Sequence, residues 1–119
     1  MKIISKYNKR FVSGEQEKRV AKATGGKKQP NSGATLFQKG DVKIPDIGIL
    51  IECKTKMGDS KNITIKKEYL EKLEQEAIGM GYNPKKAVLT LSFDNEKDYY
   101  LISDYLFTEL CDILRKGAL

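Results

Sequence analysis

The sequence predicts an α/β fold, with a central mixed sheet of about five strands flanked by helices, on three observations. Segments of helical period alternate with segments of strand period along 119 residues, a length that suits a single domain spanning residues 1–119. Clusters of Gly, Pro, Asn and Asp separate these segments, without an internal linker or repeat. Apolar residues make up 39% and charged residues 32%, which favours a folded globule over disorder. The predicted order is α-β-β-β-α-β-β-α.

The first helix is predicted to begin at a Ser13 or Gly14 cap and to end at Gly25-Gly26. Glu15 and Glu17 would then lie in its first turn, where carboxylates stabilise the positive end of the helix dipole. The following segment, KKQPNSGA, is rich in turn formers and predicts a loop. Three strand-like runs come next, separated by short turn segments, at residues 34–38, 41–44 and 48–55.

The second half of the chain predicts a helix, a strand hairpin and a last helix. The helix covers residues 65–81, and its apolar stripe consists of Ile65, Tyr69 or Leu70, Leu73, Ala77 and Met80. A buried strand at 86–93 and a partner strand at 99–102 flank a turn at 94–97. Ser103 or Asp104 caps the last helix, whose core-facing stripe consists of Leu106, Phe107, Leu110, Ile113 and Leu114.

The composition excludes several kinds of chemistry. His is absent, so the chain cannot form a Ser-His or Cys-His nucleophilic pair, a His-ligated zinc site or an imidazole acid or base. Catalysis would have to use carboxylates, Lys, Tyr, Ser or a metal held by oxygen ligands. Cys53 and Cys111 are too few and too far apart for a disulfide framework or a thiolate metal site. With no signal peptide or membrane span in the pattern, we expect an intracellular, cytoplasmic protein.

The net charge of +6 is concentrated toward the amino terminus. Residues 1–40 carry +8 and residues 41–119 carry −2. Such a segment favours a nucleic-acid backbone as partner, although basic segments also serve as solubility devices or protein-docking arms. The basic segment 1–13 and the regions after it supply the candidate DNA-binding side chains, which are Lys9, Arg10, Lys27, Lys28, Lys39 and Lys56.

The third predicted strand of the sheet carries two charges at its end. Glu52 and Lys54 are two residues apart and therefore share one face. Ile51 and Cys53 point to the other face. Asp41 opens the preceding strand, and a tight turn between the two strands would bring it nearly opposite Glu52. Two converging carboxylates repel unless a hard cation such as Mg²⁺ or Mn²⁺ lies between them.

A simpler interpretation of the same residues stays open. In it, Glu52 and Lys54 form a same-face pair on a strand that reaches solvent, and Asp41 is a turn residue. An E-x-K triplet alone carries little weight. Its combination with an upstream Asp, an apolar strand, a helix with early acids, a basic amino-terminal third and the lack of His favours the metal-dependent interpretation.

Asp41, followed after ten residues by Glu52-Cys53-Lys54, resembles the signature of the PD-(D/E)XK nuclease superfamily. The resemblance covers residues 14–110 and implies a restriction-endonuclease-like core, which has the same helix-strand-strand-strand-helix-strand order. Two segments, GEQEKRVA and NSG, are most similar to the small archaeal-type Holliday junction resolvases and related phage endonucleases; they are residues 14–21 and 31–33.

The first metal-binding Asp of the signature has two candidates in this chain. Gly40 rather than Pro precedes Asp41, which departs from the family pattern. Asp46 does follow a Pro, but it lies only six residues before Glu52. Asp41 is favoured because Asp46 lies at the hairpin turn, at the opposite end of the strand from Glu52.

The resemblance implies phosphodiester hydrolysis with Mg²⁺, or with Mn²⁺ as a substitute. Asp41, Glu52 and the backbone carbonyl of Cys53 would bind the ion, and Glu17 would complete the shell directly or through water. Lys54 would position or activate the attacking water and offset charge on the phosphorane.

Two further matches to the family have structural alternatives. Glu17 fits the family's helix acid better than Glu15, but a surface acid that complements the helix dipole is the other interpretation. Ser32 matches the family's loop Ser and would contact DNA, whereas a Ser beside Gly is commonly a turn former.

The expected substrate is branched or duplex DNA, with a four-way junction favoured by the resemblance and with flaps, nicks or general duplex left open. Cutting two strands with one site per chain predicts a homodimer. Two other classes of function share the basic amino-terminal third. They are a non-catalytic nucleic-acid-binding module and a protein-interaction module such as a phage-encoded inhibitor.

Overall fold

The computed structural model describes residues 6–30, 41–59 and 61–117, and it confirms the α/β fold and the predicted element order. The helices are α1 (Lys6–Thr24), α2 (Lys67–Gly79) and α3 (Asp104–Arg115). The strands are β1 (Lys27–Lys28), β2 (Val42–Ile44), β3 (Ile49–Lys56), β4 (Ala87–Phe93) and β5 (Asp98–Leu101), with a 3-10 turn at Pro84–Lys86 before β4. The five strands form one mixed sheet in the order β1-β2-β3-β4-β5. Among the described helices, none is long and apolar enough to cross a membrane.

Strand β3 lies at the centre of the sheet between an antiparallel and a parallel neighbour. β2 pairs with it antiparallel, with Val42 opposite Ile51, and β4 pairs with it parallel, with Val88 opposite Ile51. A parallel pair requires a crossover, which α2 supplies. Because β2 stops pairing at Ile51, β3 from Glu52 onward has β4 as its only strand partner within the described ranges. One backbone edge of β3 is therefore left to side-chain contacts.

The two faces of the sheet carry different helices because side chains alternate along each strand. One face packs against α1 and α3, and its buried core consists of Val20, Val42, Ile44, Ile51 and Val88. The other face packs against α2, and its buried core consists of Leu50, Leu73 and Ala77. Cys53 lies on the α1 face, while Glu52 and Lys54 lie on the α2 face, as their spacing predicts.

Helix α1 begins earlier than the capping pattern predicts. It starts at Lys6, so Ser13 and Gly14 lie inside the helix, and Glu15 and Glu17 lie beyond its first turn. The prediction was wrong because a good capping residue is not by itself a helix start. The seven residues from Lys6 to Val12 contain neither Gly nor Pro, and nothing local ends the helix before Ser13.

The predicted end of α1 is confirmed, but the predicted loop after it opens with a strand. Gly25 adopts a φ of +74°, and the Gly26 N–H hydrogen-bonds back into the last helical turn at 3.0 Å. Lys27–Lys28 then pair with β2 as β1, which turn composition alone does not reveal. A Cβ on Gly26 would lie 2.8 Å from the Lys43 carbonyl oxygen, so this close approach requires glycine. The strand predicted at 34–38 lies outside the described residues.

The apolar stripe of α3 is not the core stripe that the helical period predicts. Leu106 packs against the core of the α1 face, but α3 contains no buried residue. The remaining stripe positions are between 39% and 57% exposed, and they are Phe107, Leu110, Ile113 and Leu114. The prediction was wrong because the period identifies which residues share a face and carries no information about what covers that face.

A part-buried polar network holds α1 against the β4–β5 hairpin. The Arg19 guanidinium donates two hydrogen bonds to the Asp98 carboxylate, one of them at 2.9 Å, and a third at 2.9 Å to the Asn95 side chain. Gln16 is 1% exposed, and its amide donates to the Lys54 carbonyl at 3.0 Å and to Asp98 at 3.4 Å. The network thereby fixes α1 relative to the end of β3.

We expect Asp98→Ala to lower the free energy of unfolding by about 1–3 kcal/mol, because Arg19 loses a charge-assisted, two-bond partner. Asp112→Ala is the matched control, since it removes an exposed pair with Lys116 within α3 and should change stability by less than about 0.5 kcal/mol. Urea denaturation at neutral pH measures both changes. Equal, small losses in the two variants would contradict an anchoring role for Asp98.

Candidate active site

Asp41 occupies the point where the pairing between β2 and β3 ends. Its backbone N–H donates to the Ile51 carbonyl at 2.8 Å, and its carboxylate accepts from the Cys53 backbone N–H at 2.7 Å. The side chain therefore takes the place that a longer β2 would occupy, beside Glu52 on β3. Asp46, the other candidate for this role, lies exposed in the turn between the two strands.

Glu17 reaches Asp41 from α1. The two carboxyl groups are hydrogen-bonded, and the Lys28 ammonium lies 3.6 Å from Glu17. Burial, followed by the charge of Asp41, raises the pKa of Glu17, and Lys28 opposes this rise. Burial also raises the pKa of Asp41, while the hydrogen bond from Cys53 lowers it. Glu15 instead forms a surface ion pair within α1, at 4.0 Å.

Glu52 approaches Asp41 from the α2 face of the sheet. Burial, followed by the charges of Asp41 and Glu76, raises the pKa of Glu52 to about 7. The ammonium groups of Lys72 and Lys54 act in the opposite direction. Glu52 therefore titrates near neutral pH, and a half-buried carboxyl group with this property is a candidate functional residue.

Lys54 is held in a pocket between β3 and α2. Its ammonium nitrogen lies 4.2 Å from the centre of the Tyr69 ring, a cation–π contact. The pocket has a volume of about 200 Å³ and is lined by Glu52, Lys54, Tyr69, Lys72, Leu73, Glu76 and Leu89. Tyr69, which the apolar stripe of α2 predicts as a core residue, is only partly buried and lines this pocket.

The carboxylates supply oxygen donors, the kind that Mg²⁺ and Mn²⁺ prefer. Asp41 interacts with Glu17 on the α1 side and with Glu52 on the α2 side. In the part of the chain that is described, no three acidic or thiol groups are close enough to hold an ion as they stand. At Cys53 the backbone N–H, rather than the carbonyl, contacts Asp41, and burial raises the pKa of the thiol. The donor types fit a hard cation, but the described side chains do not by themselves form a complete ligand set.

The predicted DNA-binding side chains are only partly described. Lys27 and Lys28 on β1 and Lys56 at the end of β3 are exposed, and the Lys28 ammonium also pairs with Glu17 at 3.6 Å. The remaining candidates lie either in the amino-terminal half of α1, as Lys9 and Arg10 do, or outside the described residues, as Ser32 and Lys39 do. Three exposed lysines thus lie on strands that carry or adjoin the acidic residues.

Three residues lie around the site that the sequence pattern does not assign to it, namely Glu76, Tyr69 and Gln16. Glu76 and Tyr69 come from α2. In the sequence, Glu76 resembles the other acids on the exposed face of this helix, and Tyr69 resembles the apolar residues on its core face. Gln16 lies between two acids and is almost fully buried. A polar residue in line with Val20, one helical turn away, was the available signal for Gln16.

Comparison with known proteins found no matching family model, no matching curated protein and no matching solved structure. Inference of function therefore rests on the residues and geometry of this chain.

We expect Glu52→Gln to stabilise the metal-free protein at alkaline pH. The pKa of Glu52 is raised from 4.5 to about 7, so ionisation costs folding energy progressively as pH rises through this window, and the amide avoids that cost. The gain over the parent should be near zero at pH 4 and about 1–3 kcal/mol at pH 8. Urea denaturation in EDTA measures it.

Glu74→Gln, an exposed substitution on α2, is the control for this experiment and should show no such pH-dependent gain. If the difference in unfolding free energy between Glu52→Gln and the parent were the same at both pH values, the pKa of Glu52 would not be raised in the folded protein.

Proposed function

We propose that this protein is a divalent-metal-dependent DNA endonuclease that uses Mg²⁺, with Mn²⁺ as a substitute. One observation carries the proposal, which is that the Asp41 carboxylate, held by the Cys53 backbone N–H, interacts with both Glu17 of α1 and Glu52 of β3. Bringing half-buried carboxylates together makes folding less favourable, because the groups lose hydration and repel one another. Packing of the fold does not explain why they are kept together. Lys54 follows on the same face of β3, which completes the pattern that resembles the PD-(D/E)XK superfamily.

The acidic residues would hold the ion. Asp41 and Glu52 provide carboxylate oxygens, Glu17 joins directly or through water, and the Cys53 carbonyl remains the fourth candidate ligand. The bound ion would stabilise charge on the phosphodiester and make an attacking water more acidic. The hydrogen bond from Cys53 fixes the orientation of Asp41 in advance. Bound positive charge would offset the repulsion among Asp41, Glu17 and Glu52 when all three are ionised.

Lys54 would act on the scissile phosphate. The Tyr69 ring orients its ammonium group through a contact that does not use a carboxylate partner. The ammonium remains able to bind a phosphate oxygen and to offset the charge that develops during attack. Lys72 and the open pocket beside it offer room for the DNA backbone on the α2 side of β3.

The acidic cluster favours catalysis over passive binding. A non-catalytic nucleic-acid-binding module would share the basic amino-terminal third, but clustered carboxylates repel phosphate unless a cation neutralises them. A protein-interaction module predicts no binding to duplex or branched DNA at moderate salt. Without an evident base-reading element, we propose selection by DNA shape, with four-way junctions as the favoured substrate. Paired cuts require two copies of the site, and hence a homodimer.

We expect Asp41→Asn and Glu52→Gln each to lower Mg²⁺-dependent cleavage by about 100-fold or more, because each keeps the shape but removes ligand charge. Cleavage of labelled four-way, flap, nicked and linear DNAs, with Mg²⁺ and with EDTA, measures the loss. Lys54→Ala should lower the rate similarly while leaving the Mg²⁺ concentration for half-maximal activity nearly unchanged.

Glu74→Gln serves as the charge-matched control and should cleave like the parent. DNA binding in EDTA should persist in all variants, which separates lost chemistry from lost folding. Full activity of the Glu52→Gln variant would show that the strand with the E-x-K triplet does not form the active site.

We also expect Lys27→Ala and Lys56→Ala each to weaken DNA binding at every sequence. Each lost phosphate contact should reduce the slope of log affinity against log salt by about 0.9. Lys116→Ala, at the end of α3, is the control and should leave the slope unchanged. Salt titrations in EDTA with a duplex probe measure it, and an unaltered slope in both β-strand variants would place the DNA surface elsewhere.

A further inference from the structure

Helix α3 presents an apolar face to solvent on the edge of the molecule. We define the α3 face as Phe107, Leu110, Ile113 and Leu114, which recur at helical spacing and are 39% to 57% exposed. Tyr100 of the edge strand β5 is 42% exposed and lies on the same side of the sheet as α3, because it pairs with Thr90, two residues from Val88. Isolated apolar side chains are ordinary on protein surfaces, but a continuous stripe on one helix is not.

We propose that the α3 face packs against the α3 face of a second copy of this chain, with the two helices antiparallel about a two-fold axis. This arrangement would supply the two active sites that paired DNA cuts require. It deepens the homodimer of the proposed function by naming its interface, and it is argued from the apolar face and its flanking charges, which exist whether or not the chain cleaves DNA.

The charges beside the stripe complement a second copy. Asp104 lies in the first turn of α3 and Arg115 in the last. At 100° per residue the two side chains fall on the same flank of the apolar stripe. A two-fold axis perpendicular to both helices places this flank of one helix beside the same flank of the other helix, which runs in the opposite direction. Asp104 of each copy therefore meets Arg115 of the other copy. The antiparallel arrangement also opposes the two helix dipoles favourably.

The size of the face suits a dimer contact. Aromatic side chains present about 150–250 Å² each, and with that range as an upper bound for Leu and Ile the α3 face with Tyr100 offers at most roughly 350–580 Å² per protomer. A standard interface buries about 800 Å² per partner, of which somewhat more than half is apolar. The uncovered apolar area is therefore close to the apolar share of a standard interface.

Other occupants fit this helix less well. With its C-cap, the α3 helix carries three acids, Asp104, Glu109 and Asp112, against two bases, Arg115 and Lys116. This balance opposes contact with DNA phosphates or with an anionic lipid surface. On the flank that carries Asp104 and Arg115, the order of charge is acidic at one end and basic at the other, which favours a copy of the same helix.

Sedimentation velocity over a wide protein concentration range tests the proposal without reference to cleavage. We expect the parent to sediment as a dimer and Leu110→Glu/Leu114→Glu as a monomer, because both side chains are already exposed in the protomer and the substitutions cost little folding energy. Ile78→Glu on α2, 49% exposed on the opposite side of the sheet, is the matched control and should remain a dimer. Circular dichroism melts should show that both variants stay folded.

A charge exchange tests the antiparallel geometry. Asp104→Arg and Arg115→Glu should each weaken dimerisation by about tenfold, and combining them should restore it, because the exchanged charges again face each other. A monomeric parent at all concentrations, a dimeric Leu110→Glu/Leu114→Glu variant, an equally disrupted Ile78→Glu control or a double variant no better than the singles would each overturn the proposal. Loss of cleavage with the dimer intact would instead count against the nuclease function alone.

Discussion

The arrangement of the site depends on one hydrogen bond, from the Cys53 backbone N–H to the Asp41 carboxylate at 2.7 Å. β2 is three residues long, so the end of β3 needs another acceptor for its backbone on that side. Supplying that acceptor from a side chain, rather than from a further strand residue, places a carboxylate beside Glu52. A single side chain thus satisfies a part-buried backbone donor and presents carboxylate oxygens at the candidate site.

The acidic cluster also depends on the position of α1, since Glu17 and Glu52 lie on opposite faces of the sheet and meet only through Asp41. Packing of Val20 places α1 on the sheet, but apolar contacts have no preferred direction along a helix axis. The directional hydrogen bonds of Arg19 and Gln16 set that position. Structural residues one and two positions away from Glu17 therefore control where its carboxyl group lies.

The crowding of carboxylates works against the stability of the fold. Burial raises the pKa values of Glu17, Asp41 and Glu52, and in each case folding is less favourable when the group is ionised. Lys28, Lys54 and Lys72 lie close enough to offset part of this cost. Local conflict between charge placement and stability is typical of sites kept for binding or catalysis.

The sequence by itself determined the order of the elements, the turn at Gly25 and the shared face of Glu52 and Lys54, because these follow from local periods and from backbone conformations that only certain residues adopt. Only the tertiary structure decided that α1 extends back to Lys6, that Glu76 joins the acids and that the stripe of α3 is uncovered. These features depend on contacts between residues far apart in the chain, and a local pattern records which face a residue lies on but not what that face meets.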